Sequence, residues 1–210
     1  MRTVRIGHCR IAATVVMSRH VSRNVNLEST RRRLTEKQAD TVDRLTRAAV
    51  EVLREEGFAG LTVRSVASRA GVAPATAYTY FSSKEHLVAE VFWRRLAATP
   101  EPSDIAGNTA DRVSAVLRNI AMLMDDEPEL AGAVTSALLG RDPDVEHLRG
   151  RIGLDIRERL SVALGVDGDP DTLEALELLY AGALVRAGMG YGSYAKLADR
   201  LETSARLLLE

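Results

Sequence analysis

The chain has 210 residues, 46% hydrophobic and 27% charged, enough for one or two globular domains and incompatible with disorder throughout. No apolar stretch approaches the roughly 20 residues of a membrane span, and the one cysteine, Cys9, precludes an intrachain disulfide and a thiolate-rich zinc site, so a reducing cytoplasm and no membrane partner are expected. The net charge of −1 is unevenly distributed: residues 1–97 hold 17 Lys and Arg against 9 Asp and Glu, net +8, and residues 98–210 hold 11 against 20, net −9. A basic half on an acidic half suits a module that meets a polyanion, because cationic side chains gain free energy by releasing counterions from phosphates; chance clustering of solvated charge is the alternative.

Residues 1–35 show no period and carry Arg2, Arg5, Arg10, Arg19, Arg23, Arg31, Arg32 and Arg33 against one acid, Glu28. A basic, disordered arm is expected there. Residues 11–17 form a short apolar patch behind arginines but lack an Ala-x-Ala cleavage pattern, so a signal peptide is not expected; whether translation starts at Met1 or Met17 is open. Leu45, Ala48, Ala49, Val52 and Leu53 then fall at helical spacing, predicting a first helix over about 40–56 that Gly57 stops. Thr62 caps a short second helix through Val63, Val66, Ala67 and Ala70, broken by Gly71. A third runs from Pro74 to Phe81, and Ser82 or Ser83 caps a fourth with Leu87, Val91, Phe92 and Leu96 inside and Lys84, Glu85, Arg94 and Arg95 outside. Residues 99–107, with Pro100, Pro102 and Gly107, read as a loop and module boundary. Five more helices follow, around 113–124, 128–139, 145–164, 173–188 and 197–208, without convincing strand alternation, so the chain is expected to be all-α.

Two short helices joined at a glycine have helix-turn-helix geometry, in which the second helix lies in the DNA major groove. The third helix crowds hydroxyls, at Thr76, Tyr78, Thr79 and Tyr80, suited to phosphate oxygens and thymine methyls. The run Leu61-Thr62-Val63-Arg64-Ser65-Val66-Ala67, then Ala70-Gly71-Val72 and Ala75-Thr76-Ala77-Tyr78-Thr79-Tyr80-Phe81-Ser82-Ser83-Lys84-Glu85-His86-Leu87, resembles the DNA-binding domain of TetR-family transcriptional regulators over about residues 40–90. The resemblance implies a helix-turn-helix domain over 36–84 and a helical effector-binding and dimerisation domain over 85–210. It implies that Thr62 meets phosphate while capping, that Arg64 reaches a base edge, that Thr76 and Thr79 face the groove, that Tyr78 and Tyr80 address phosphates, that Phe81 plugs the interior and that Lys84 clamps the backbone. For Tyr78, packing between helices is a second open reading. Ala77 stands where the family usually has a larger aliphatic residue, and the recognition helix lacks Arg, Asn and Gln, leaving base readout to Arg64 and the threonines, with DNA shape or the arm as supplements.

For the acidic half the resemblance implies a homodimer on a pseudo-palindromic double-stranded operator. Ala183, Leu184 and Ala187, with Leu201 and Ala205, are candidate interface residues, packing inside one subunit being the alternative. A pocket for a small hydrophobic effector is expected among the fifth to eighth helices, near Leu117, Met122, Leu138 and Ile156, in an interior with no evident buried charge cluster. Arg186 suits either an anionic ligand or the C-terminal end of its own helix. The expected function is a ligand-responsive regulator, a repressor released by its effector; an activator of the same fold and a helical interaction module without DNA binding are the alternatives.

An enzyme is not expected, nor any cofactor or metal. His8, His20, His86 and His147 form no His-Glu-x-x-His and no Glu-x-x-His pair. Asp167, Asp169 and Asp171 begin like a calcium loop, but Thr172 and Leu178 occupy its glycine and glutamate positions. Gly188-Met189-Gly190-Tyr191-Gly192 follows a helix instead of a strand, so it is no dinucleotide loop.

Overall fold

A computed structural model describes residues 35–100 and 102–210. The basic arm, with Cys9 and Met17, lies outside them except for Thr35. Nine α-helices and no strand occur among the described residues. Helix α1 spans Glu36–Gly60. It starts a turn earlier than the apolar period suggests, because Thr35 and Gln38 exchange capping-box hydrogen bonds, and it breaks at Gly57, where φ is 66°. Helices α2 (Val63–Arg69) and α3 (Pro74–Tyr80) form the helix-turn-helix. Between them Gly71 has a φ of 62°, a left-handed conformation that costs glycine little and other residues more, while the Val72 amide closes the turn on the Ala67 carbonyl at 2.9 Å.

Helix α4 (Lys84–Ala97) is capped by Ser83. Every residue from His86 to Phe92 is buried, as expected of a helix covered on all sides; α4 packs on α1, α6 and α7. Arg94 and Arg95, expected to be solvent-exposed, instead reach back to acids on neighbouring elements, Arg94 to Glu90 and Asp43 and Arg95 to Asp126 and Glu127. The long side chain lets the charge find a carboxylate while its stem covers apolar surface. After a 3-10 turn at Pro102–Asp104 come α5 (Thr109–Ala121), a second 3-10 turn at Met122–Met124, α6 (Pro128–Leu139), α7 (Pro143–Leu164), α8 (Pro170–Gly188) and α9 (Tyr194–Leu209). Asn108, Asp142, Asp169 and Ser193 cap α5, α7, α8 and α9 with their side chains.

Helices α5 and α9 run antiparallel, since Arg118 pairs with Asp199 and Glu202 while Arg206 pairs with Asp111. Helix α8 lies against α6, α7 and α9. Its Gly188 is pressed onto α6 so closely that a Cβ there would stand 2.4 Å from Thr135, so this small residue serves packing inside the subunit. The interior is not wholly apolar: Glu90, Glu127 and Arg159 are buried, on three different elements. Each is held by an opposite charge, the arrangement burial demands. Burial pushes the Glu90 carboxyl above its ordinary pKa, opposed by Arg94 and Arg151.

Candidate nucleic-acid interface

Inward and outward faces of the helix-turn-helix separate cleanly. Val63, Val66, Ala67, Ala77 and Phe81 are buried, and Phe81 packs edge-on against the His86 ring with centroids 5.5 Å apart. Ala77 is 0% exposed, so a methyl suffices to close the core under α3. Thr62, Arg64, Thr76 and Thr79 are exposed, Tyr78 is 52% exposed and Tyr80 is half-buried against the core. Thr62 caps α2 through a reciprocal pair with Ser65, the Ser65 amide donating at 2.9 Å and Ser65 Oγ accepting from the Thr62 amide at 3.1 Å.

One residue that sequence reasoning did not single out holds this unit in shape. Arg44 of α1 donates through Nη2 to the carbonyls of Ala70 at 2.7 Å and Gly71 at 3.0 Å, which occupies acceptors left open where α2 ends. A polar residue on an exposed helix stripe gives no sign of this in sequence. Lys84 is turned onto protein: its ammonium donates to the Phe58 carbonyl at 2.9 Å and lies 4.3 Å from the Phe58 ring centroid. It ties the start of α4 to the corner after α1, with two of its three N–H groups left for a phosphate.

Two polar junctions fasten this unit to the rest. Glu127, just before α6 and 4% exposed, accepts from Arg54 of α1 at 2.6 and 3.0 Å and from Arg95 of α4 at 2.9 Å. At the other junction Ser82 donates to Asp144 at 2.5 Å and Ser83 to Asp142 at 2.7 Å. Burial pulls the Asp142 carboxyl up, but the Ser83 hydroxyl and the amides of Val145 and Asp144 outweigh it and leave the group below its ordinary value. Sequence gave Glu127 no distinction, since an acid ahead of a helix reads as an ordinary capping residue.

The candidate effector residues belong to the packed interior. Leu117, Leu138 and Ile156 are buried and Met122 is partly buried against the same core; none of them borders the groove of about 390 Å³ between α8 and α9. Two hydroxyls in the body, Ser114 Oγ and Tyr194 OH, are buried without a hydrogen-bond partner among the described residues. Of the candidate interface residues, Leu201, Ala205 and Ala183 are buried within the subunit, and Leu184 and Ala187 are partly buried. Ala183 and Leu201 nevertheless form part of the wall of the groove between α8 and α9, whereas Ala205 does not border it. The outer side of the same two helices is open: Leu178, 67% exposed, with Gly182, Arg186, Leu197, Arg200 and Ser204, lines the groove. Arg186 lies over the Tyr191 ring at 5.3 Å.

The comparisons agree with this geometry. Residues 45–91 match the model of the bacterial regulatory proteins, tetR family. An uncharacterized HTH-type transcriptional regulator of Mycobacterium bovis is 44% identical over 201 residues, covering 90% of this chain and 94% of the relative. The HTH-type transcriptional repressor KstR of Rhodococcus jostii is 28% identical over 183 residues, 82% of this chain and 84% of the relative. A crystal structure of a TetR transcriptional regulator from Rhodococcus sp. RHA1 superposes with a TM-score of 0.66 at 26% identity, covering 83% of this chain and 98% of that one. The chain belongs to the TetR family of bacterial transcriptional regulators. Its relatives are regulators of transcription and not enzymes, and among the described residues no helix is long and apolar enough to cross a membrane.

Proposed function

We propose that the chain is a cytoplasmic repressor that binds a pseudo-palindromic operator as a homodimer and leaves it when a small, largely hydrophobic effector enters the α5–α9 body. The observation that carries this reading is the exposed face of the helix-turn-helix, where Arg64, Thr76, Tyr78 and Thr79 stand outward on a turn that Arg44 holds rigid. Arg64 supplies a bidentate donor for a guanine edge, the threonines face bases, and the Tyr78 hydroxyl, with those of Thr62 and Tyr80 and the Lys84 ammonium, addresses phosphates. A 28% identical relative named as a repressor favours repression.

One recognition helix of seven residues reads few bases, and two related by a dyad read a half-site each. The outer side of α8 and α9 supplies a surface for that pairing, with Leu184 and Ala187 at its margin and Ala183, Leu201 and Ala205 beneath it. Leu117, Met122, Leu138 and Ile156 supply apolar walls for the effector. The unpaired hydroxyls of Ser114 and Tyr194 suit a ligand with a polar group on an apolar frame, because a buried hydroxyl without a partner is costly until something bonds to it.

The test is capture of fragmented genomic DNA by the purified protein, sequenced, beside Arg64→Ala and Tyr78→Phe. A short pseudo-palindrome enriched by the wild type and lost with Arg64→Ala is expected. No enriched site at any moderate salt concentration would refute the reading.

A further inference from the structure

The groove-facing surface is unusual in what it lacks. Helix α3 reads Pro74-Ala75-Thr76-Ala77-Tyr78-Thr79-Tyr80, with no charge and no amide, so the side chains that pair bidentately with adenine or accept from cytosine are missing from it. Ala73, Pro74, Ala75, Thr76 and Thr79 are its exposed small side chains, and all of them present hydrocarbon.

Hydroxyl chemistry is also reduced on this face. Thr79 Oγ1 donates its proton to the Thr76 carbonyl at 2.6 Å. That bond holds the side chain in a rotamer favoured for threonine on a helix and leaves the oxygen's lone pairs, with no donor, and a methyl for DNA. Thr62 and Ser65 use theirs within the capping box. Thr76 and Ser68 make no hydrogen bond through their hydroxyls among the described residues.

The guanidinium groups sort the same way. Arg44 holds the turn, Arg47 donates to the Asp43 carbonyl, Arg54 is clamped by Glu127, and Arg69 pairs with Glu55 and Glu51. Arg64, at the start of α2, has no hydrogen bond or ion pair among the described residues. Of the arginines on α1–α3 it is the one with no partner among the described residues.

We propose, resting on the operator-binding reading above, that this regulator reads thymine methyl groups under α3 by apolar contact, with Arg64 fixing one guanine in each half-site. A methyl group attracts alanine, proline and threonine methyls in the major groove by the same burial that packs a core. At about 0.8 kcal/mol per buried methyl or methylene, one such contact is worth about fourfold in affinity. The operator half-site is therefore thymine-rich beneath Ala75, Thr76 and Thr79, with one obligatory guanine beside them.

The test starts with selection of a random duplex library on the full chain. The selected operator is then remade with deoxyuridine in place of thymidine at one position at a time, which deletes the methyl and keeps every base-pairing group. Replacement beneath α3 is expected to weaken binding about fourfold per methyl, and replacement elsewhere to leave it unchanged. Thr79→Val, which keeps the methyl and removes the hydroxyl, is expected to bind within about twofold of wild type, whereas Thr79→Ser loses about fourfold and becomes insensitive to uracil at one position. Arg64→Ala is expected to lose the guanine preference at a single position per half-site, at a cost of about tenfold. An enriched operator that binds equally well with uracil at every position, or a Thr79→Val variant that loses specificity while Thr79→Ser keeps it, would overturn the proposal and leave operator binding standing. A library with no enriched sequence would sink operator binding itself.

Discussion

At the scale of single residues, Arg44 shows how a side chain outside any motif sets the geometry of one. It bonds the Ala70 and Gly71 carbonyls from a neighbouring helix, so Arg44→Ala removes charge-assisted bonds that no other donor replaces. A loss of about 2 kcal/mol in urea unfolding is expected, with weaker operator binding although Arg44 is not placed on the DNA; unchanged stability would show that Gly71 holds the turn alone. Tyr180 makes a different residue-level case. Burial first, and the neighbouring Tyr194 phenol second, push its pKa far above the usual tyrosine value. The native state then keeps a proton that the unfolded chain has lost, so stability is whole below about pH 10 and falls as pH rises past it, by about 1.4 kcal/mol per pH unit for one proton. Denaturant unfolding at about pH 9 and about pH 11 is expected to show a shallower loss for Tyr180→Phe than for wild type. Equal losses would mean that the Tyr180 phenol ionises with no penalty in the fold.

At the scale of elements, the order of the helices was legible because local chemistry starts and stops them: Thr62 and Ser83 cap, Gly57 and Gly71 break, and Pro74 and Pro128 occupy first turns, whereas α5, α7, α8 and α9 begin at Thr109, Pro143, Pro170 and Tyr194, ahead of the apolar periods that start at 113, 145, 173 and 197. Which side of a helix faces what was legible only where the apolar stripe was narrow. Helix α9 illustrates the limit: Leu201 and Ala205 form a clear stripe, but a stripe that packs inside a subunit and one that packs on a second copy look alike in sequence, and the structure buries both residues in the subunit. The two sides predict different failures. Leu178→Arg, on the open side, is expected to leave the fold intact and convert the proposed dimer to monomer in light scattering, since it places a charge in an apolar contact. Ala205→Leu is expected to cost about 1–3 kcal/mol by overpacking, with no direct effect on pairing. Monomers from Ala205→Leu without loss of stability would reverse the assignment of the two sides.

At the scale of the whole molecule, the question is how the proposed effector in the body would reach the helix-turn-helix, and long-range partners decide it, which is why sequence could not. Besides the packing of α1 on α4 and α6 and the Arg94–Asp43 pair, the unit is fastened by the Glu127 clamp and by the Ser82–Asp144 and Ser83–Asp142 pairs. Glu127 ties both α1 and α4 to the start of α6 by charge, beside the packing of α6 on the same two helices, so a shift of α6 bears on both at once. Removing it leaves two guanidinium groups facing each other across the vacated site. Because the Arg54 side chain is 56% exposed, the cost is set below the value for a wholly buried pair, at about 2 kcal/mol. In a chain of this size that lowers the melting midpoint by about 4–8 °C. Glu127→Ala is therefore expected to melt earlier in calorimetry and in two steps, the helix-turn-helix ahead of the body, while Glu127→Gln, which keeps one carbonyl acceptor, falls between. Operator affinity is expected to drop with the same ranking, because recognition helices no longer held at a fixed spacing must be ordered by the DNA itself. A single sharp transition in Glu127→Ala, with wild-type affinity, would show that apolar packing of α4 suffices to carry the signal without the clamp.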